Sequence, residues 1–171
     1  MIDIQTLRNK EAYVITIGSH PAIIQSILDF DYLAKKSQPS IIAIIATGRN
    51  NERYFFGKKE ILIPVYATTK AIPAVKKEQC TFFLNLSSGR RVLHSTQDLL
   101  DTFPNVVGGV IFAEGVPETH ALTLYNKAVK NKQFIIGPSS IGLLIPGSLK
   151  LGAIGGVDMR QLTDAKLFTS S

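Results

Sequence analysis

The sequence predicts an α/β fold with a Rossmann-like, doubly wound, mostly parallel sheet and helices on both faces. Short β-branched apolar runs alternate with amphipathic stretches of helical period along almost the whole chain. One of these runs, residues 41–46, holds nothing polar, which is typical of a parallel strand covered on both faces. Alternation of strands and helices favours a parallel sheet with right-handed crossovers.

The first half of the chain predicts three strand regions and two helices. "AYVITIG" (12–18) and "SIIAIIATG" (40–48) are strands, and residues 53–67 suggest a hairpin around Gly57 and Lys58. A short helix is expected in "TTKAIPAVKKE" (68–78). The helix between the first two strands has apolar residues at a helical spacing, namely Ile23, Ile24, Ile27, Leu28 and Leu33.

The second half repeats the alternation. Strands are expected at 80–86, at 105–115 with a glycine break, and at 133–137, the last clear strand. One helix carries its apolar face on Leu93, Thr96, Leu99, Leu100 and Phe103. The next has Pro117 in its first turn and a stripe of Ala121, Leu124, Tyr125 and Ala128. A short helix is expected at 158–167.

Composition narrows the class of protein. The chain has 171 residues, 45% hydrophobic and 19% charged, which fits a globular domain and not a disordered one. No apolar run approaches the ~20 residues that cross a bilayer, and the first residues lack the pattern of a signal peptide. We therefore expect a cytoplasmic location. The single cysteine, Cys80, is expected to be an inert core thiol.

The net charge of +6 favours anionic partners without selecting one. Basic residues are scattered, with no long basic arm and no aromatic RNA-binding motif, so nucleic acid is disfavoured. His20, His94 and His120 lack metal-ligand spacing, and with one cysteine no metal site is expected.

Five segments follow the predicted strands and are expected to meet at one edge of the sheet. Ligands of doubly wound sheets bind beyond the carboxyl ends of the strands, where strand order reverses. The segments hold most of the small and polar residues outside the surface helices, and they are residues 18–22, 46–50, 86–91, 112–118 and 137–142.

The residues in these segments leave several interpretations open. "GSHPA" keeps Gly18 but lacks the G-x-G-x-x-G of dinucleotide folds, so standard NAD binding is disfavoured. Its backbone amides suit a phosphate, or Ser19 is simply a helix N-cap. Arg49 suits phosphate recognition or is a solvated surface residue.

Two further segments are similarly open. "SSGRR" (87–91) suits an anion or reflects plain capping and surface charge. Glu114 follows an apolar strand and suits proton transfer or the orientation of a histidine. Glu118, at the start of the next helix, favours the helix dipole.

Four stretches resemble the CoA-binding domain of ATP-citrate lyase, which is related to the alpha subunit of succinyl-CoA synthetase. They are "LDFDYL" (28–33), "FGKKEILIPVY" (56–66), "AEGVPE" (113–118) and "IIGPSSIGLLIPGSLKLGAIGG" (135–156), in order within residues 12–168. The resemblance implies coenzyme A as ligand. It also implies a parent enzyme that forms acetyl-CoA and oxaloacetate from citrate, CoA and ATP through a phosphohistidine, citryl-phosphate and citryl-CoA.

The resemblance also implies site residues. Glu114 matches the catalytic glutamate that holds the phosphohistidine. The residues that match CoA-contacting segments are Gly18, Ser19, His20, Thr47, Gly48, Arg49, Ser88, Arg91, Phe112 and Ala113.

The sequence departs from the family pattern in ways that limit what it does alone. The Gly-His-Ala-Gly motif of the phosphohistidine, the ATP-grasp domain and the citrate-synthase-like domain are absent from it. We therefore expect an inactive piece, with residues 1–152 as the CoA-binding domain and 153–171 as an extension toward a following domain.

The resemblance places ATP and Mg²⁺ in the complete enzyme and not in this domain. Its expected partners are an ATP-grasp (beta-type) domain or subunit and a larger oligomer, with no nucleic acid and no membrane. Two alternatives stay open: a free-standing, non-catalytic CoA- or nucleotide-binding module, and a ligase domain like the succinyl-CoA synthetase alpha subunit.

Overall fold

A computed structural model describes residues 3–155 and 168–170 and shows a seven-stranded sheet beside a three-stranded sheet. The strand order of the large sheet is β3-β4-β2-β1-β5-β6-β7, and every neighbouring pair is parallel except β3 with β4. Its strands are β1 (Val14–Ile17), β2 (Ile41–Ile45), β3 (Asn51–Phe56), β4 (Lys59–Tyr66), β5 (Phe82–Asn85), β6 (Gly108–Ile111) and β7 (Phe134–Ile136). The predicted fold class is confirmed.

Helix α1 (Ile4–Asn9) precedes β1. The helices that connect strands of the large sheet are α2 (Pro21–Leu33), α3 (Ala74–Gln79), α4 (Gly89–Thr102) and α5 (Glu118–Lys130), and a 3-10 turn lies at Thr69–Ala71. The small antiparallel sheet has the order β10-β8-β9 and consists of β8 (Gly142–Ile145), β9 (Leu149–Gly152) and β10 (Phe168–Ser170). Among the helices described, none is long and apolar enough to cross a bilayer.

The central strands are apolar throughout because both faces of the large sheet are covered. Successive residues of a strand point to opposite faces, so Phe82 packs into one core cluster and Phe83 into the other. The first cluster includes Ile24 and Ile27 of α2 together with β8 and β9 residues. The second includes Leu99 of α4 and Leu124 of α5. Two separate cores therefore hold the sheet in place.

The structure corrects several predictions. Residues 133–137 are not the last strand, because β8 and β9 form a hairpin after them and β10 pairs with β8. The four-residue strands there lie between glycines and prolines, which hid them in the sequence. Pro117 is the N-cap of α5 and precedes its first turn. Tyr125 is 60% exposed, so it lies outside the buried stripe of α5.

Two remaining predictions concern the ends of the chain and its thiol. Helix α1 was not predicted, and the helix expected at 158–167 lies outside the described residues.

Cys80 is a free, fully buried thiol, and burial raises its pKa to about 12. The prediction of an inert core thiol is confirmed.

A buried lysine ties the small sheet to α2. Lys150 of β9 is 1% exposed, and its Nζ donates to the Ser26 hydroxyl at 2.7 Å and to the Gly155 carbonyl at 3.2 Å. Burial lowers the pKa of Lys150, and the nearby Asp29 carboxylate opposes this in part. The amine is thus hydrogen bonded, but its charged form is disfavoured in this position.

This burial predicts a pH dependence of stability. The unfolded lysine keeps its proton up to about pH 10.4, while the folded one loses it at a lower pH. In that window the unfolded state binds more protons, so the free energy of unfolding rises with pH. In urea titrations between pH 7 and 10.5, Lys150→Met is expected to remove part of this rise. The exposed Lys70→Met serves as control and keeps it; an equal rise in Lys150→Met would contradict the prediction.

Candidate ligand-binding edge of the sheet

The direction of the chain across the large sheet reverses between β1 and β5. From β1 the chain proceeds through β2 and β4 on one side, and it later adds β5, β6 and β7 on the other. Loops that leave neighbouring strands in opposite directions open a crevice at the carboxyl edge of such a sheet. Here those loops are Gly18–His20 after β1 and Leu86–Ser88 after β5.

The backbones of these two loops lie against each other. Gly18 has φ +85°, and a Cβ there would lie 3.1 Å from the Leu86 carbonyl carbon and 3.2 Å from the Ser87 nitrogen. The Leu86 N–H donates to the Ile17 carbonyl at 2.7 Å, and the Gly18 N–H donates to the Ile45 carbonyl at 2.8 Å. Glycine is required at this position for both its backbone conformation and its contact.

The loops after β6 and β7 continue the same row. A Cβ on Gly89, the first residue of α4, would lie 2.6 Å from the Glu114 carbonyl oxygen. A Cβ on Gly137 would lie 2.3 Å from the Ile111 carbonyl oxygen, and the Ser139 N–H donates to the Ala113 carbonyl at 2.9 Å. The structure therefore brings the loops after β1, β5, β6 and β7 together along one edge.

Asn85, which sequence reasoning missed, holds the loop after β5. Its side chain is fully buried at the end of β5, and its Oδ1 accepts the Ser87 N–H at 3.0 Å and the Ser87 hydroxyl at 2.6 Å. Its Nδ2 donates to Ser95 at 3.0 Å and to Thr96 at 2.9 Å, both on α4. The start of α4 is thereby fixed relative to the strand. A polar residue directly after the apolar run "FFL" was the available signal.

The start of α4 has the properties of an anion site. Ser88 is its exposed N-cap and makes no side-chain cap hydrogen bond, while Arg90 and Arg91 are exposed in the first turn. A helix of 14 residues carries a partial positive charge at this end. Hydroxyl, backbone amides and guanidinium groups here suit a phosphate.

The loop after β1 differs from the prediction in one respect. His20, and not Ser19, is the N-cap of α2, followed by Pro21 at the first helical position. The Ser19 hydroxyl donates instead to the Glu52 carboxylate at 2.7 Å. The interpretation of Ser19 as an N-cap is wrong, because a buried carboxylate on β3 competes for its hydroxyl.

Glu52 is the second residue that sequence reasoning missed. Its side chain is 3% exposed, and its Oε1 lies 3.5 Å from the Arg49 Nη1. The Tyr54 hydroxyl donates to its Oε2, and burial together with this carboxylate raises the pKa of Tyr54 well above the usual value. The period-two pattern of "NERYFF" places Glu52 on the face of Tyr54 and was the available signal.

The other predicted site residues lie at the same edge. Thr47 and Gly48 are exposed between β2 and Arg49. After β6, Phe112 is half-buried, Ala113 is buried and Glu114 is exposed. Within the described residues, Glu114 has no side-chain hydrogen bond or ion pair, and no cluster of three potential metal ligands occurs. Its carboxylate is thus open to solvent beside the start of α4.

A cavity of about 440 Å³ lies at the opposite, amino edge of the sheet. Its walls come from residues before β1 and β2 and from the turn between β8 and β9, and they include Arg8, Lys10, Tyr13, Lys36, Gln38 and Ser148. Three of these residues are basic. The lining also includes the Glu11 carboxylate, and Lys36 is paired with Asp31 at 2.6 Å. The sequence predicted a ligand-binding region only at the carboxyl edge.

The relatives found by sequence comparison are ATP-citrate synthases. The chain is 34% identical over 164 residues to a probable ATP-citrate synthase subunit 1 of Schizosaccharomyces pombe. This stretch is 95% of the chain and 26% of that protein. The chain resembles one segment of the ATP-citrate lyases. No protein-family model matches it.

Two solved ATP-citrate lyase structures are similar to this fold. The Methanothrix soehngenii enzyme, in complex with citrate and coenzyme A, has a TM-score of 0.80 at 30% identity, over 89% of this chain and 24% of that one. The Methanosaeta concilii enzyme, a variant in complex with (3S)-citryl-CoA, has a TM-score of 0.77 at 32% identity, over 83% and 23%. The predicted resemblance to ATP-citrate lyase is confirmed, and the chain spans about a quarter of the length of these relatives.

The contact between α4 and the loop after β6 is testable with Gly89→Ala. Alanine gains up to about 1 kcal/mol over glycine in a helix, but its Cβ meets the Glu114 carbonyl oxygen at 2.6 Å. We expect a net loss of about 1–2 kcal/mol in the free energy of unfolding, measured by urea titration. Ser88→Ala, at the adjacent exposed position, is the control and should lose less than about 0.5 kcal/mol. A stabilised Gly89→Ala variant would contradict this contact.

Proposed function

We propose that this chain is the CoA-binding domain of an ATP-citrate lyase and holds coenzyme A at the carboxyl edge of its sheet. The observation that carries the proposal is the contact between the loops after β1, β5, β6 and β7 at the reversal of strand order. Glycines at three of these contacts keep the edge free of side chains where loops meet. Such an edge lets a ligand phosphate approach backbone N–H groups closely.

The chemistry of the edge matches the ligand. Coenzyme A carries several phosphate charges, and this edge presents the exposed Arg49, Arg90 and Arg91. The amino ends of α2 and α4 add partial positive charge at the same side. The half-buried Phe112 supplies apolar surface for the pantetheine arm. We place the contacts with CoA in Gly18–His20, Thr47–Arg49, Ser88, Arg91 and Phe112–Ala113.

The activity of a complete enzyme is part of the proposal, since the chain spans a quarter of its relatives. The enzyme would form acetyl-CoA and oxaloacetate from citrate, CoA and ATP, with ATP and Mg²⁺ bound by an ATP-grasp domain or subunit in a larger cytoplasmic oligomer. In this proposal residues 1–152 hold the CoA site, and 153–171, whose β10 pairs with β8 of the small sheet, lead toward a following domain. The exposed Glu114 carboxylate would meet the phosphohistidine of that enzyme.

Calorimetry with coenzyme A tests the proposal. We expect measurable binding of CoA and none of NADH. Arg49→Ala is expected to weaken CoA binding about five-fold at low salt, close to 1 kcal/mol, and less at high salt, because its side chain is 59% exposed and its charge is screened. Lys10→Ala is the matched control, since it removes one positive charge from the amino-edge cavity.

The outcome separates the two edges. A loss of affinity in Arg49→Ala with Lys10→Ala within two-fold of the unmodified chain supports the carboxyl edge. The reverse pattern would place the ligand in the amino-edge cavity, and no CoA binding by the unmodified chain would remove the proposed function.

Glu114→Gln tests whether the Glu114 carboxylate contributes to folding stability or to CoA binding. Because the side chain is exposed and unpaired within the described residues, the free energy of unfolding is expected to change by less than about 0.5 kcal/mol. CoA affinity, measured by the same calorimetry, is expected to stay within two-fold. A loss of stability above 1 kcal/mol would show that Glu114 has a structural role instead.

A further inference from the structure

Glu52 is a buried carboxylate on the strand at the edge of the large sheet. Along β3 burial alternates, so Asn51 and Arg53 are exposed while Glu52 and Tyr54 face inward. A buried charge is costly unless it is paired and hydrogen bonded. An apolar residue would fit the burial pattern of this strand, so packing alone does not explain a carboxylate at this position.

The partners of Glu52 come from the two loops of the proposed CoA site. Its Oε2 accepts from the Ser19 hydroxyl at 2.7 Å, which belongs to the loop after β1, and from the Tyr54 hydroxyl. Its Oε1 lies 3.5 Å from the Nη1 of Arg49, which belongs to the loop after β2. One carboxylate therefore links two loops that are 30 residues apart in the chain.

A ligand cannot use Glu52 directly. Its Oε1 exposes less than 1 Å² to solvent and makes no hydrogen bond within the described residues, where Arg49 is the one cation paired with it. The Ser19 hydroxyl donates its hydrogen to Oε2, so this loop offers its backbone N–H groups and not that hydrogen to a phosphate. Arg49 remains 59% exposed and keeps its other N–H donors for solvent or ligand.

We propose that Glu52 is a positioning residue for coenzyme A that acts through Ser19 and Arg49. This inference rests on the proposed function. The carboxylate holds the loop after β1 and the Arg49 guanidinium in one arrangement before the ligand arrives. Less conformational freedom is then lost on binding, which raises affinity. The raised pKa of Tyr54 is consistent with this arrangement, because the phenol stays protonated and donates a hydrogen bond to the same carboxylate.

Glu52→Gln should change CoA affinity in opposite directions, depending on whether Glu52 acts only through its charge or positions Arg49. Removal of a negative charge beside an anionic ligand should tighten CoA binding if only electrostatics mattered. If Glu52 positions Arg49, calorimetry at low salt is expected to show about five-fold weaker binding. Unchanged or tighter binding overturns the inference. If Glu52→Gln does not fold, Glu52→Asp keeps the charge but shortens the reach, and the same loss is expected.

A double-mutant cycle separates positioning from a structural role. In the Arg49→Ala background, Glu52→Gln is expected to weaken CoA binding by a smaller factor than in the unmodified chain, because one of the two residues it acts through is gone. An equal loss in both backgrounds would show that Glu52 does not act through Arg49 and would overturn the inference. Glu60→Gln is the matched control, since it removes an exposed carboxylate of the neighbouring strand that pairs with Arg53 and not with Arg49; CoA affinity within two-fold is expected.

Hydrogen exchange without ligand keeps this inference apart from the proposed function. In Glu52→Gln the amides of Gly18 and Ile24, which donate to the Ile45 and His20 carbonyls, are expected to exchange at least about five-fold faster than in the unmodified chain, because the loop after β1 loses its tether to β3. Amides of β5 should be unchanged. Unchanged exchange at Gly18 and Ile24 overturns the inference even if CoA binds. Faster exchange with no CoA binding by the unmodified chain would instead remove only the proposed function.

Discussion

The backbone of Gly18 lies against the backbone of Leu86 and Ser87, and a Cβ at this position would crowd their atoms at 3.1–3.2 Å. This contact joins the two loops that leave β1 and β5 at the reversal of strand order. Every later contact along the edge follows from it, because α4 begins where the second loop ends and the Gly89 contact then brings in the loop after β6. The loop backbones therefore contact one another directly along this edge, and buried polar side chains support them.

Two buried polar residues hold that backbone, and each serves one side of the reversal. Asn85 uses both ends of its amide to fix the loop after β5 to α4. Glu52 joins the loops after β1 and β2 through Ser19 and Arg49. The Asn85 amide is hydrogen bonded at both its oxygen and its nitrogen, and a satisfied buried polar group makes a local structure rigid and specific. The Glu52 carboxylate is hydrogen bonded through Oε2, and its Oε1 is paired in charge with Arg49. The positive groups of the edge, by contrast, are exposed and remain available to an anion.

The positions of β1–β7 and of the main helices were predictable because their apolar residues follow clear periods of two or 3.6. The hairpin of β8 and β9 was not, because strands of four residues between glycines have too little pattern. The loops of the site were predictable from topology, since parallel strands end at one edge. Glu52 and the true partner of Ser19 were not, because their contact depends on where β3 folds at the outer side of β4, and Glu52 lies 33 residues after Ser19 in sequence. The amino-edge cavity was also missed, since it is formed by α1 and the β8–β9 turn, which the sequence did not predict.

An amide chemical-shift map recorded during titration with coenzyme A locates the ligand on the sheet. If CoA binds at the carboxyl edge, the largest shifts occur at Gly18–His20, Leu86–Ser88 and Ala113–Gly115, where the loops meet, with saturation at one common affinity. Residues around the amino-edge cavity, such as Lys10, Gln38 and Gly147, are expected to keep their shifts. Large shifts at those three residues, with the carboxyl-edge loops unchanged, would contradict binding at the carboxyl edge.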